Sequence, residues 1–304
     1  MENFASAEVQ KALAEEMSKA FDSNDPKLRA ALAKKITEKL QNDIEQRDLS
    51  GFLLDKEFIP LGTNVEWTLP SKMRVYWHEP GSYAPRTAIF QKVFTLSTEM
   101  LSAHPEYELN QLRAGRYGTI AEQTGMARDA ILGAINAKTW STVVGSITSA
   151  GPNYANDTGG VLTKASLDFA LNWCNDQAGG GAKAIVARRH LLNAIMDFGS
   201  VSNVDSGVFS DSVKDQVVRT GAIGVYRGVP LIPLMQWVDA NGRNTITNQD
   251  VMVMGGGSGK FVVQQNLDSL DAVDIDALIW HIHMWTRVGC AVWFPERNFR
   301  IYID

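Results

Sequence analysis

The sequence offers little from which to build chemistry. Its 304 residues include only two cysteines, Cys174 and Cys290. Neither has another Cys or a His at metal-ligand spacing, and both sit in apolar runs. That excludes a disulfide framework and reads as reduced core thiols of a cytoplasmically made protein. No stretch approaches the roughly 20 apolar residues of a membrane span, and the opening Met1, Glu2, Asn3, Phe4 lacks the basic start and apolar run of a secretion signal. Positive charge is also in deficit. A net charge of −5 argues against a surface that holds nucleic acid by neutralising many phosphates. There is no internal repeat, and low complexity is confined to the glycine runs 179–181 and 255–257. With 45% hydrophobic and 21% charged residues, the balance is that of an ordinary globular chain of one elaborate domain or two smaller ones.

The motifs that suggest an active site fail on inspection. Residues 254–261 have the look of a phosphate-binding loop, but Met254 stands where glycine is needed and Phe261 where Ser or Thr would ligate magnesium. His281 and His283 would share one face of a strand, as in some metal sites, but no carboxylate or thiol is near, and a role facing a neighbouring strand or subunit fits better. Cys174 with His190 lacks any nucleophile signature and any oxyanion element. No pair of carboxylates in contrasting environments stands out.

What is present is structural. Of residues 1–57, 21 are charged, 12 acidic and 9 basic. Val9, Leu13, Met17 and Phe21 recur at every fourth position. Asp25 and Pro26 then supply an N-cap and a first-turn proline for a second helix, along which Leu28, Leu32, Ile36, Leu40 and Ile44 continue the spacing. So narrow a stripe offers its own core little width. The helices pack either on their own domain or, the preferred reading, as an arm on a neighbouring subunit.

Residues 58–96 read as β structure with breaks at 70–72 and 80–85, a protruding hairpin rich in Trp, Tyr and Arg. Those residue types carry binding energy at interfaces, and equally form aromatic mini-cores at sheet edges. A long helix is expected over 119–144, with Ile120, Ala127, Ile131, Ala134 and Ile135 on one face. Residues 149–160 are turn formers almost throughout and mark a domain boundary. An α/β alternation follows: helix 164–177, strand 183–187, helix 188–198 and a return strand 250–254. Residues 273–303 hold two or three closing strands expected to pair with residues 58–100.

Residues 220–232 are the most informative stretch. Three glycines punctuate a run rich in Val, Ile and Tyr, which reads as two short strands joined at Arg227 and Gly228. In this order the segments resemble the major capsid proteins of tailed bacteriophages, whose fold, the Hong Kong 97 type, is shared with encapsulin shells. Residues 221–232, 289–295 and 299–303 carry the resemblance, which covers nearly the whole chain.

The resemblance implies an α+β fold with an N-terminal helical arm (1–57), an extended loop (58–95), a peripheral domain with a spine helix (96–160 and 267–304) and an axial domain (161–266). It implies subunit contacts through Trp67, Lys72, Arg74, Tyr76, Trp77, Tyr83 and Arg86 of the loop. Arm contacts would come from Val9, Leu13, Met17, Phe21, Leu32, Ile36 and Leu40, and Gly224, Arg227 and Gly228 would form a turn of the axial domain. The function implied is self-assembly, as pentamers and hexamers, into an icosahedral shell around double-stranded DNA packaged without sequence specificity. Catalysis, cofactor, metal and membrane are not expected. Expected partners are a portal, a cement protein and, because the leader is short, a separate scaffolding protein. Assembly would take place in the bacterial host cytoplasm, and the final location would be the virion. In some members a loop lysine crosslinks to an asparagine of another subunit; Lys72 lies in the matching loop, and no asparagine partner is identifiable. The alternatives are an encapsulin-like compartment holding a cargo enzyme and, more remotely, a cytosolic α/β enzyme.

Overall fold

A computed structural model describes residues 25–69, 92–110, 118–177, 181–196, 198, 201–202, 224–236, 246, 249–274 and 277–304. Among the described residues, two mixed sheets, a two-stranded ribbon and five α-helices make up an α+β fold.

Helix α1 (Pro26–Arg47) starts where the sequence signals it: the Asp25 carboxylate accepts the Lys27 N–H at 2.9 Å, and Pro26 opens the first turn. Its apolar stripe does not wait for a partner. Leu32, Ile36 and Leu40 are 3%, 1% and 1% exposed and pack with Tyr107, Leu109, Trp280, Ile282 and Met284 of their own chain. These three, expected at a contact with a neighbouring subunit, are instead buried in their own chain. The stripe is narrow because it seats between a helix and a sheet, and each buried aliphatic side chain contributes about 1.5–3 kcal/mol there.

After α1, Asp48 accepts the Ser50 N–H and Oγ–H at 2.8 and 2.6 Å at the start of the single turn α2 (Ser50–Leu53). The Leu49 N–H donates to the buried Asn136 side chain at 3.1 Å. That bond ties this corner to α3 (Gly118–Gly145), the long helix expected over 119–144. Ala127, Ile131 and Ile135 are buried as predicted, Ala134 is half-buried, and the Ile120 side chain lies outside the described part.

The five-stranded sheet runs β1 (Asp55–Phe58), β12 (Gly259–Asp274), β13 (Ile279–Val292), β4 (Glu99–Ala103), with β5 (Glu106–Glu108) also on β13. One face is covered by α1 and α3, and along the distal part of β12 and β13 the other carries exposed Asp268, Leu270 and His283.

The seven-stranded sheet has the order β6 (Tyr154–Asp157), β14 (Phe299–Ile303), β11 (Asp250–Gly255), β7 (Ala182–Arg188), β10 (Val229–Leu234), β9 (Gly224–Tyr226), β8 (Val201–Ser202). Its central strands are apolar on both sides. Ala184 and Val186 face Trp140, Val143 and Ile147 of the α3 region, while Ile185 and Ala187 face α4 (Lys164–Asp176) and α5 (Arg189–Met196).

Two pairings differ from expectation. Of the closing segment, β13 does return to residues 99–103, but β14 pairs with β11 and β6 in the other sheet. And the turn-forming run 149–160 contains β6, parallel to β14: Tyr154 packs on the core, and the buried Asp157 carboxylate accepts the Thr163 N–H at 2.8 Å.

The apparent phosphate loop is a turn between two strands. It leads into the 16-residue β12, where a phosphate loop would open a helix, and Arg297 donates to the carbonyl of Gly257 at 2.9 Å. Gly255 has a packing reason: an added Cβ would collide with the Arg297 carbonyl oxygen.

Candidate assembly interface

The surfaces that could meet other subunits start from the ribbon β2 (Glu66–Leu69) with β3 (Lys92–Thr95), paired Glu66 to Thr95 through Leu69 to Lys92. The strand at 66–69 thus closes on 92–95. The ribbon is rooted by aromatic packing. Trp67 lies against Trp293, ring centroids 4.7 Å apart at 50°, with Phe94 at 6.4 Å from the same indole. The Lys260 ammonium stands 4.9 Å from the Trp67 ring centroid while ion-pairing with Glu57. Trp67, expected at a subunit contact, is half-buried and packs on Trp293 of its own chain. Val93 beside it is exposed.

Lys72, Arg74, Tyr76, Trp77, Tyr83 and Arg86 lie outside the described residues, as do Val9, Leu13, Met17 and Phe21.

Gly224, Arg227 and Gly228 come together at the β9–β10 hairpin. Gly224 is buried opposite Leu231, and Arg227 and Gly228 both take positive φ, 48° and 84°, as a two-residue hairpin turn of the primed type requires. Arg227 donates to Asp168 on α4 at 2.7 Å, and the Tyr226 hydroxyl donates to the other oxygen of that carboxylate at 2.7 Å. Burial, with the Asp168 charge and hydrogen bond adding to it, pushes the Tyr226 phenol up to about 12. The turn is thereby locked to the helix beneath it.

Cys174 donates its thiol to the Val253 carbonyl, and burial pushes its pKa up to about 12, the opposite of an activated nucleophile. Cys290 is likewise raised by burial, beside Thr142 at 3.2 Å. It lines an apolar cleft of about 420 Å³ between α3 and β4, with the exposed Lys138–Glu99 pair at its mouth. Among the described residues no three His, Cys, Asp or Glu side chains are arranged to hold a metal. His281 and His283 do share a face of β13, and His283 stacks on His104, a contact the sequence reading missed because the two are far apart in the chain. The role of Trp293 was missed for the same reason.

A family model described as "SPbeta prophage-derived putative capsid protein YonB" matches residues 2–264. The chain belongs to the YonB capsid protein family. The solved structures agree on the fold. The capsid structure of the cyanophage P-SCSP1u superposes with a TM-score of 0.55 at 14% identity, over 83% of this chain and 86% of that one. A structure of Microbacterium phage Oxtober96 gives 0.58 at 14% identity over 85% and 91%. A virus-like particle from Pyrococcus furiosus gives 0.52 at 11% identity over 88% and 98%. No curated protein matches by sequence. A YonB-family chain with this fold is a phage capsid protein, and the Hong Kong 97 type resemblance drawn from segment order is correct.

Proposed function

We propose that the protein is the major capsid subunit of a tailed phage or prophage, closing as pentamers and hexamers into an icosahedral shell around double-stranded DNA. The match of residues 2–264 to a prophage capsid family is the observation that carries this reading. The physical logic fits. The ribbon is held at its root by Trp67 on Trp293, and many modest contacts repeated around closed symmetry give a strong container.

With Leu32, Ile36 and Leu40 sealed in their own core, the arm reduces to residues 1–24, whose Val9, Leu13, Met17 and Phe21 remain the arm contacts of this reading. Lys72, Arg74, Tyr76, Trp77, Tyr83 and Arg86 remain those of the loop. The role is structural and not enzymatic. The other partners of the reading are a portal, a scaffolding protein and a cement protein. DNA would be held without sequence specificity, in keeping with a net charge of −5. Assembly would occur in the host cytoplasm and the protein would reside in the virion.

Sedimentation velocity on the full chain and on a chain lacking residues 1–24 tests the arm. Large closed particles from the full chain, reduced to small oligomers or monomers by the truncation, are expected. Identical small oligomers from both would refute the reading.

A further inference from the structure

The long hairpin β12–β13 departs from regular pairing near its middle. Val263 pairs with Val288 and Gln265 with Arg287, which leaves Gln264 as an extra residue without a partner across the ladder. A bulge of this kind re-aims the side chain it carries. The Gln264 amide reaches two segments far from it in sequence. Its Nε2–H donates to the Thr63 carbonyl at 2.8 Å, and its Oε1 accepts the Thr98 hydroxyl at 2.5 Å. The Arg287 Nε–H donates to the same Thr98 oxygen at 2.9 Å.

Thr63 and Thr98 lie on the two legs of the ribbon, the first just before β2 and the second just after β3. Between the legs the Leu96 N–H donates to the Val65 carbonyl at 2.9 Å. Both legs meet the hairpin at the bulge, and closely: a Cβ added at Gly289 would stand 2.9 Å from the Ser97 carbonyl oxygen. Two kinds of contact hold the ribbon there. Trp67 and Phe94 on Trp293 bury apolar surface, an attraction that has no direction and tolerates sliding and rotation. The hydrogen bonds are directional and weaken steeply as they bend. The Thr98, Gln264 and Arg287 side chains are all half-buried, which limits competition from water.

We propose that Thr98, held between Gln264 and Arg287, is a positioning residue of the ribbon: the clasp Thr63–Gln264–Thr98–Arg287 fixes the direction in which β2–β3 leaves the sheet, while Trp67 on Trp293 attaches it without setting that direction. Thr98 suits the task because its one hydroxyl both donates, to Gln264, and accepts, from Arg287. The consequence rests on the capsid reading, in which the clasp sets where the loop 58–95 meets another subunit. The clasp itself does not.

Pulsed electron paramagnetic resonance on the full chain tests the clasp. Spin labels go on Val93→Cys in the ribbon and Met126→Cys in α3, both exposed positions, in a Cys290→Ser background that leaves only the buried Cys174. Labelled chain is diluted into unlabelled chain, so only distances within one subunit are read. A single narrow distance distribution is expected with the clasp intact. Thr98→Val keeps the side-chain shape without the hydroxyl, and Gln264→Leu removes both amide bonds; each should broaden the distribution or displace its mean. Thr98→Ser, which keeps the hydroxyl, should match the parent. Parent-like distributions in Thr98→Val and Gln264→Leu, or a change in Thr98→Ser as large as in Thr98→Val, overturn the clasp. The reading is made inside one subunit, so it decides the clasp whether or not shells form, and a failure to form shells counts against the capsid reading alone.

Discussion

Arg300 and Asp250 form an ion pair at 2.7 Å between adjacent strands β14 and β11, with the Asp250 side chain 0% exposed and that of Arg300 17% exposed. The second carboxylate oxygen of Asp250 is buried without a partner, so the guanidinium is what compensates the charge. Replacing Arg300 by Met should destabilise the subunit by about 3–5 kcal/mol, because a buried carboxylate is left bare. Arg300→Met with Asp250→Asn should recover most of that loss, measured by urea unfolding.

A second prediction concerns α1, where Ile36 and Leu40 are sealed against the sheet of their own chain. Ile36→Ala and Leu40→Ala should each cost about 2–5 kcal/mol in denaturant unfolding of the isolated subunit, as expected for large-to-small changes in a core. Val9→Ala and Leu13→Ala should leave subunit stability within about 0.5 kcal/mol and act on assembly alone.

The ribbon root gives a third. Trp67→Ala and Trp293→Ala should each destabilise the fold by roughly 1–3 kcal/mol, with a coupling between them of about 0.5–1.5 kcal/mol in a double-mutant cycle. Additive effects would show that the two indoles act separately.

How much of this was legible in the sequence depended on the range of the interaction. Asp25 and Pro26 announced α1, and Arg227 with Gly228 announced the hairpin, because caps and turns are decided within a few residues. The order of segments was enough for the family. What escaped was long-range. The spacing of Leu32, Ile36 and Leu40 marks a face without saying what covers it, and the cover, Tyr107 with Trp280 and Met284, is far along the chain. The exchange of β14 into the seven-stranded sheet is a pairing choice between two apolar strands, which alternation alone cannot make. Trp serves interfaces and mini-cores alike, so the sequence could not show that Trp67 packs on Trp293.

Alkaline pH offers a fourth prediction. The Tyr226 phenol rises from an ordinary value near 10 to about 12 on folding. A group with a raised folded pKa contributes stability fully present below about pH 10 and lost as pH climbs through about 12. Tyr226→Phe should therefore flatten the fall of stability across that window, read by unfolding curves at successive pH values. An unchanged slope would contradict the Asp168 lock.

Closure of this chain into a shell is tested most directly by electron microscopy of the purified full-length protein, alone and co-expressed with a scaffolding partner. Closed icosahedral particles whose wall density accepts this subunit in pentamers and hexamers are the predicted result. Discrete dimers or tetramers under both conditions, with no curved or closed assembly, would contradict it.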